Sequence, residues 1–326
     1  MMNKLANSSS KLLIALLVLT VMVLTACGDS TTTPTRPAER PAERPAEVPA
    51  TTTSVSPTTK TSVASPATTA TTTISATSVS SVTTAGNISG EVTVFAASSL
   101  TGPFNEIKTQ LEKNNPGLKI TYNFGGSNIL RTQLEQGAKA DVFASANQTE
   151  LDNALKSGLV PDKGTIFAKN RLVVILPKNN PGKVTKLQDL ANPNLKFVTA
   201  QKDVPVGNYT LQILDKLSKD PAYSSDFSIK VQANVVSQES NVKQIVTKVQ
   251  LGEADAGIVY LTDISASIAN DLTTLDIPDQ FNVVATYPIS TLKSLSNPAG
   301  AKAFVDFVLG SAGQAILKKY GFVPAN

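Results

Sequence analysis

The chain has 326 residues, a formal net charge of +4, one cysteine, no histidine and no tryptophan. The length suffices for two domains. The composition excludes an intrachain disulfide, a zinc site of the usual Cys/His kind and a Ser-His-Asp triad, and the clustered cations and stacking aromatics of a nucleic-acid binder are missing.

Lys4 and Lys11 lead into a nearly unbroken apolar run, Leu12 to Leu24. The run is too short to favour a spanning helix and fits the core of a signal peptide over 1–26. It ends Leu24-Thr25-Ala26-Cys27-Gly28, which is similar to a bacterial lipobox, where the cysteine becomes the lipidated first residue of the mature protein. The chain's one cysteine occupies the one position that motif needs. Anywhere else, a lone exposed thiol would be a liability in an oxidising compartment. Residues 27–89 are dominated by Thr, Ser, Pro and Ala, with a charge-balanced repeat from Arg36 to Glu47. So little apolar surface cannot offset ordering entropy. We read this stretch as a disordered tether of a composition that carries O-glycans, about 60 residues of coil reaching about 45 Å.

The globular part runs over 90–326. Val92 to Ala97 has strand character and runs into Ser98-Ser99. Apolar residues then fall at Leu100, Phe104, Ile107 and Leu111, one face of a helix, with Pro103 tolerable in its first turn. A helix N-terminus therefore points back at a strand end, with unpaired N–H groups and about half a positive charge. Ser98 or Ser99 is either a plain N-cap or an anion ligand there. Leu118 to Phe124 alternates as a strand, breaks at Gly125-Gly126-Ser127-Asn128, and enters a helix with Ile129, Leu130 and Leu134 on one face, so Ser127 repeats the position of Ser99. Gly137 to Asn147 gives a turn and a short buried strand, and a helix follows from about Thr149 to Lys156. Arg171 to Leu176 and Phe197 to Thr199 read as strands. Asp203 to Asn208 is a loop entering a helix that carries Leu211, Leu214 and Leu217. Val231 to Val236 reads as strand; Ser240-Asn241-Val242 opens a helix with Val242, Val246 and Val249 on one face; Ala256 to Tyr260 is strand again. Phe281 to Thr286 and Tyr287 to Ser290 read as extended, and two helices, Ala299 to Leu309 and Ala312 to Lys319, close the chain. Alternating strands and helices predict α/β layers. In open α/β sheets ligands sit beyond the carboxyl ends of strands. Four such junctions, at Ser99, Ser127, Val206-Gly207 and Val242, can aim helix N-termini at one point.

The stretches Val94 to Leu100, Phe124 to Ser127, Gly137 to Phe143, Val204 to Gly207, Gly257 to Tyr260 and Lys319 to Phe322 occur in order over 91–322, and together they resemble the molybdate-binding proteins of ABC importers. The resemblance implies a type II periplasmic-binding-protein fold, two α/β lobes with a ligand cleft between them: lobe one 90–171 plus 287–326, lobe two 172–286. It implies oxyanion contacts from the hydroxyl and N–H of Ser99 and of Ser127, the N–H of Val206, the N–H of Val242 and the hydroxyl of Tyr260. The doubled serine, Ser98 beside Ser99, leaves the register open by one residue, and Val206 stands where the family often has Ala. Asp141 and Asn147 read as fold-supporting residues. The implied role is non-enzymatic: a monomeric lipoprotein on the extracytoplasmic face of the cell membrane that takes molybdate or tungstate as ligand, needs no cofactor, and delivers it to an ABC permease and its ATPase. A receptor for sulfate or another tetrahedral oxyanion is the alternative. A serine hydrolase would need a base; no histidine exists, and no Ser-x-x-Lys begins at Ser99 or Ser127.

Overall fold

The computed structural model describes residues 88–325. The signal peptide, Cys27 and the tether expected from the sequence lie outside the described residues. Two mixed sheets carry the fold. The first contains β1 (Gly90–Ala97), β2 (Leu118–Gly125), β3 (Val142–Ala144), β4 (Thr165–Asn170), β10 (Ala285–Thr291) and β11 (Val323–Pro324), in the order β11-β4-β10-β3-β1-β2. β1 pairs in parallel with β2 and β3, while β10 runs antiparallel to β3 and β4. The second contains β5 (Leu172–Pro177), β6 (Phe197–Ala200), β7 (Val235–Glu239), β8 (Ala256–Tyr260) and β9 (Leu272–Asp276), in the order β7-β6-β8-β5-β9. Helices α1 (Thr101–Asn114), α2 (Ser127–Glu135), α3 (Gln148–Lys156), α7 (Pro298–Leu309) and α8 (Ser311–Lys319) belong to the first lobe, and α4 (Pro205–Ser218), α5 (Phe227–Ala233) and α6 (Val242–Gln250) to the second. This is the two-lobed α/β architecture expected from the sequence.

Local patterns explain the elements. Leu100, Phe104, Ile107 and Leu111 are all buried, and Phe104 meets Tyr122, Phe167 and Phe304 in an aromatic cluster under the first sheet. Burying one such side chain contributes about 1.5–3 kcal/mol. β5 is buried at all six positions, as its run of apolar residues requires of an interior strand. Val242, Val246 and Val249 form the buried face of α6, joined by Ile245.

Some elements differ from the sequence reading. Val231 to Val236 is not one strand: α5 ends at Ala233 and β7 begins at Val235. Phe227 and Val231, one helical turn apart, bury together, and a short β-branched run does not by itself tell helix from strand. Phe281 and Asn282 sit in a turn, their N–H groups donating to the Pro278 carbonyl. The extended segment starts only at Ala285. A lobe break at 286/287 would therefore cut β10, whose residues pair with the first sheet from Ala285 onward.

The chain passes between sheets at Arg171 and again over 277–284, and the two passages are tied together. Asn282 Oδ1 accepts from Leu172 N (3.1 Å) and Val283 N (2.8 Å), and its Nδ2 donates to the carbonyls of Leu172 (2.8 Å) and Ile277 (3.1 Å). Arg171 Nη2 donates to the Ile277 carbonyl and pairs with Asp279. No helix among the described residues is long and apolar enough to cross a membrane.

Candidate functional site

Four element junctions converge where the two lobes face each other. β1 stops at Ala97 and turns through a single 3-10 turn, Ser98–Leu100, into α1. β2 stops at Gly125, and Gly126 serves as the N-cap of α2. Across the cleft, α4 starts at Pro205 after Val204, and α6 starts at Val242 after Asn241. Tyr260 is the last residue of β8. Ser99, Ser127, Val206, Val242 and Tyr260 all line one cavity, together with Ser98 and Ala146. The five residues picked out in the sequence are thus brought together. Ser99 and Ser127 come from one lobe, and Val206, Val242 and Tyr260 from the other. The cavity is small, with room for about one water-sized sphere. Among the described residues, no charged side chain lines it.

Its polar groups are all neutral, serine and tyrosine hydroxyls beside helix-start N–H groups. Ser127 Oγ accepts from Ala146 N at 3.0 Å, which leaves its own proton free. Ser99 Oγ lies 3.1 Å from Tyr287 Oη. Neither serine caps its own helix: the 3-10 turn and α2 make no side-chain cap hydrogen bond, and neither does α4. The N-cap reading of these serines is thereby set aside. At α6, Asn241 Oδ1 accepts from Lys243 N and Gln244 N, while the Val242 N–H, first in the helix, has no intrahelical acceptor. The N-terminal N–H groups of α2, α4 and α6 add fixed positive potential without a formal charge.

Tyr260 is fully buried, and its hydroxyl has no hydrogen-bond partner among the described residues. An unpartnered buried hydroxyl is costly unless something else satisfies it. Burial, first of all, and then the neighbouring Tyr287, Tyr209 and Asp263 hold this phenol well above its usual pKa, so it stays a proton donor. Behind it, buried Asp263 accepts from Tyr260 N (3.3 Å) and pairs with Lys243 (2.9 Å). Desolvation raises the Asp263 pKa, and Lys243 opposes the rise.

Glycine is required at two places by close backbone approach. A Cβ on Gly126 would lie 2.3 Å from the Ser240 carbonyl oxygen of the other lobe, and one on Gly207 2.2 Å from that of Gln201. Hydrogen bonds also join the lobes, among them Asn128 Nδ2 to Asp203 Oδ2 (2.9 Å), Tyr209 Oη to the Ala146 carbonyl (3.3 Å) and Asn170 Nδ2 to Thr262 Oγ1 (2.7 Å). Asp141 accepts from Thr93 N, Ser296 N and Asn297 N, and Asn147 caps α3 by accepting from Glu150 N; carboxylate and carboxamide are thus both spent on the scaffold. Sequence reasoning missed Ala146, whose N–H orients Ser127, and Tyr287, which stands behind Ser99. The only local hint of Ala146 was its place in the polar segment just past β3.

Two α/β lobes facing each other across a cleft rimmed by helix N-termini define a type II periplasmic binding protein. A model of the bacterial extracellular solute-binding proteins matches residues 92–323, and the chain belongs to that family. Among its relatives, the molybdate-binding protein ModA of Mycobacterium tuberculosis (strain ATCC 25618 / H37Rv) is 39% identical over 231 residues, covering 71% of this chain and 84% of that one. The periplasmic molybdate-binding protein of Azotobacter vinelandii superposes with a TM-score of 0.62 at 22% identity, over 72% of this chain and all of that one (100%). The sulfate-binding protein SubI of M. tuberculosis H37Rv superposes with a TM-score of 0.65 at 15% identity, over 72% and 87% of the two chains. The fold is therefore shared by proteins named for different anions.

Proposed function

We propose that this chain captures molybdate, and tungstate equally, in the cleft and delivers it to an ABC permease and its ATPase. The observation that carries the reading is that Ser99, Ser127, Val206, Val242 and Tyr260 line one small cavity without a charged residue; in this reading the three hydroxyls and the two valine N–H groups are the donors. Molybdate is a tetrahedral dianion with no proton at neutral pH, so every oxygen can accept. Hydrogen bonds to an ionised group contribute about 1.5–3 kcal/mol each. Five sum to roughly 8–15 kcal/mol, and after an association cost of about 4 kcal/mol the upper half of that range still gives micromolar or tighter binding. Identity of 39% to a protein named for molybdate supports this anion over sulfate. Cys27 is the lipid attachment site in this reading, and the protein works as a monomer on the extracytoplasmic face of the membrane.

The test is calorimetry with four anions. The expected order is molybdate and tungstate alike, sulfate far weaker because its shorter bonds leave hydrogen bonds long, and phosphate undetectable because its proton meets a donor. Sulfate binding as tight as molybdate would move the protein to a sulfate receptor. For the anchor, Cys27→Ser should abolish lipid labelling and release the protein from the membrane fraction; a variant that stays membrane-bound with its signal cleaved overturns the lipid assignment alone.

A further inference from the structure

Tyr287 lies in β10, fully buried, with its ring against Phe167, Tyr260 and Phe322. Its hydroxyl makes one hydrogen bond among the described residues, to Ser99 Oγ at 3.1 Å. Two hydroxyls can be wired in either direction, but here the surroundings choose. If Ser99 donated, the phenol proton would have no acceptor within hydrogen-bond distance among the described residues, Asn170 and Tyr260 being its other polar neighbours, at a cost. If Tyr287 donates, Ser99 Oγ satisfies it and the serine proton turns to the cavity that Ser99 lines. Burial holds the phenol protonated well above its usual range, as this wiring requires. Ser127 is oriented in the same way by a group that can only donate, the Ala146 N–H.

We propose that Tyr287 is a specificity-determining positioning residue: by donating to Ser99 it fixes that serine as a donor toward the cleft, and so excludes tetrahedral anions that carry a proton. The proposal rests on the reading that Ser99 contacts the anion. Without the tyrosine hydroxyl, Ser99 is free to rotate and accept a proton from the ligand.

The experiment compares molybdate with arsenate, a tetrahedral anion that keeps a proton near neutral pH, by calorimetry of the full-length chain. Tyr287→Phe keeps the ring and its packing. It should weaken molybdate about tenfold while arsenate binding holds or gains, narrowing the ratio of affinities by about tenfold or more. An equal loss for both anions overturns the proposal and leaves the molybdate reading intact. Failure of the unaltered chain to bind molybdate overturns both. Ser99→Ala is the second variant, informative even if Tyr287→Phe does not fold. It removes the one hydroxyl that the proposal would free to accept the ligand's proton, so molybdate should weaken and arsenate gain nothing; an arsenate gain there also overturns the proposal.

Discussion

Two hydroxyls in the cleft predict opposite effects on folding. Tyr260 Oη bonds nothing within the described residues, so Tyr260→Phe should leave the ligand-free protein as stable or more stable. Ser127 Oγ is the acceptor for the buried Ala146 N–H, so Ser127→Ala should destabilise the fold by about 1–3 kcal/mol. Both should lower molybdate affinity roughly ten- to a hundredfold. Thermal melts and calorimetry on the two variants separate the effects; a Tyr260→Phe variant that melts several degrees lower without ligand contradicts the account of its hydroxyl. The same residues set the pH response. Burial pushes Tyr209 up to about 12, and Tyr260 and Tyr287 are raised as well. A phenol raised above its unfolded value of about 10 contributes stability that is complete below that pH and is lost as the pH climbs through the folded value. The denaturation midpoint should therefore fall between about pH 10 and pH 12. Anion affinity should be level between about pH 6 and pH 8, since the chain has no histidine to titrate there.

Among the elements, helix starts differ in role, and α6 combines both, capped by Asn241 yet opening on the cleft at Val242. α3 and α7 are capped by Asn147 and Asn297, whereas α2 and α4 present uncapped N–H groups at the cleft. Asn297→Ala should cost about 1 kcal/mol of stability and leave affinity unchanged; a loss of binding would mean that cap also serves the site. This division shows what a sequence can reveal. The face of α1 was legible because Leu100, Phe104, Ile107 and Leu111 keep helical spacing and all bury. The junctions at Ser99 and Ser127 were legible because each follows a strand that stops at small residues. Val206 and Val242 offer only backbone, so their side chains gave no signal; the strand-to-helix junctions brought them into view, and the resemblance named their N–H groups. β9 went unread because it is an edge strand with exposed threonines in place of an apolar alternation. The partnership of Tyr287 with Ser99 was invisible because it spans 188 positions and exists only once the sheet is assembled.

For the molecule as a whole, the cross-cleft bonds act on affinity without touching the ligand. Neither Asn128 nor Asp203 lines the cavity, yet they join the lobes. Asn128→Ala should weaken molybdate and tungstate by the same factor, a few-fold, by disfavouring the closed arrangement. Small-angle scattering should register a larger mean radius for the ligand-free variant. A change in the preference between anions would instead assign Asn128 to the site itself.

The bare backbone at Gly126 sets the clearance between the lobes, since the Ser240 carbonyl leaves no room for even a methyl group. An alanine there would act as a doorstop. Ser99 and Ser127 would remain well formed on one jaw, and Val206, Val242 and Tyr260 on the other, but the jaws would not meet. Such a protein could hold an anion only from one side, weakly, with water reaching the other. It would retain each lobe's own outer surface while losing the shape that exists only when the jaws are shut. That separates two things a transporter could sense, the presence of the carrier and the fact that it is loaded, with a change of one carbon atom.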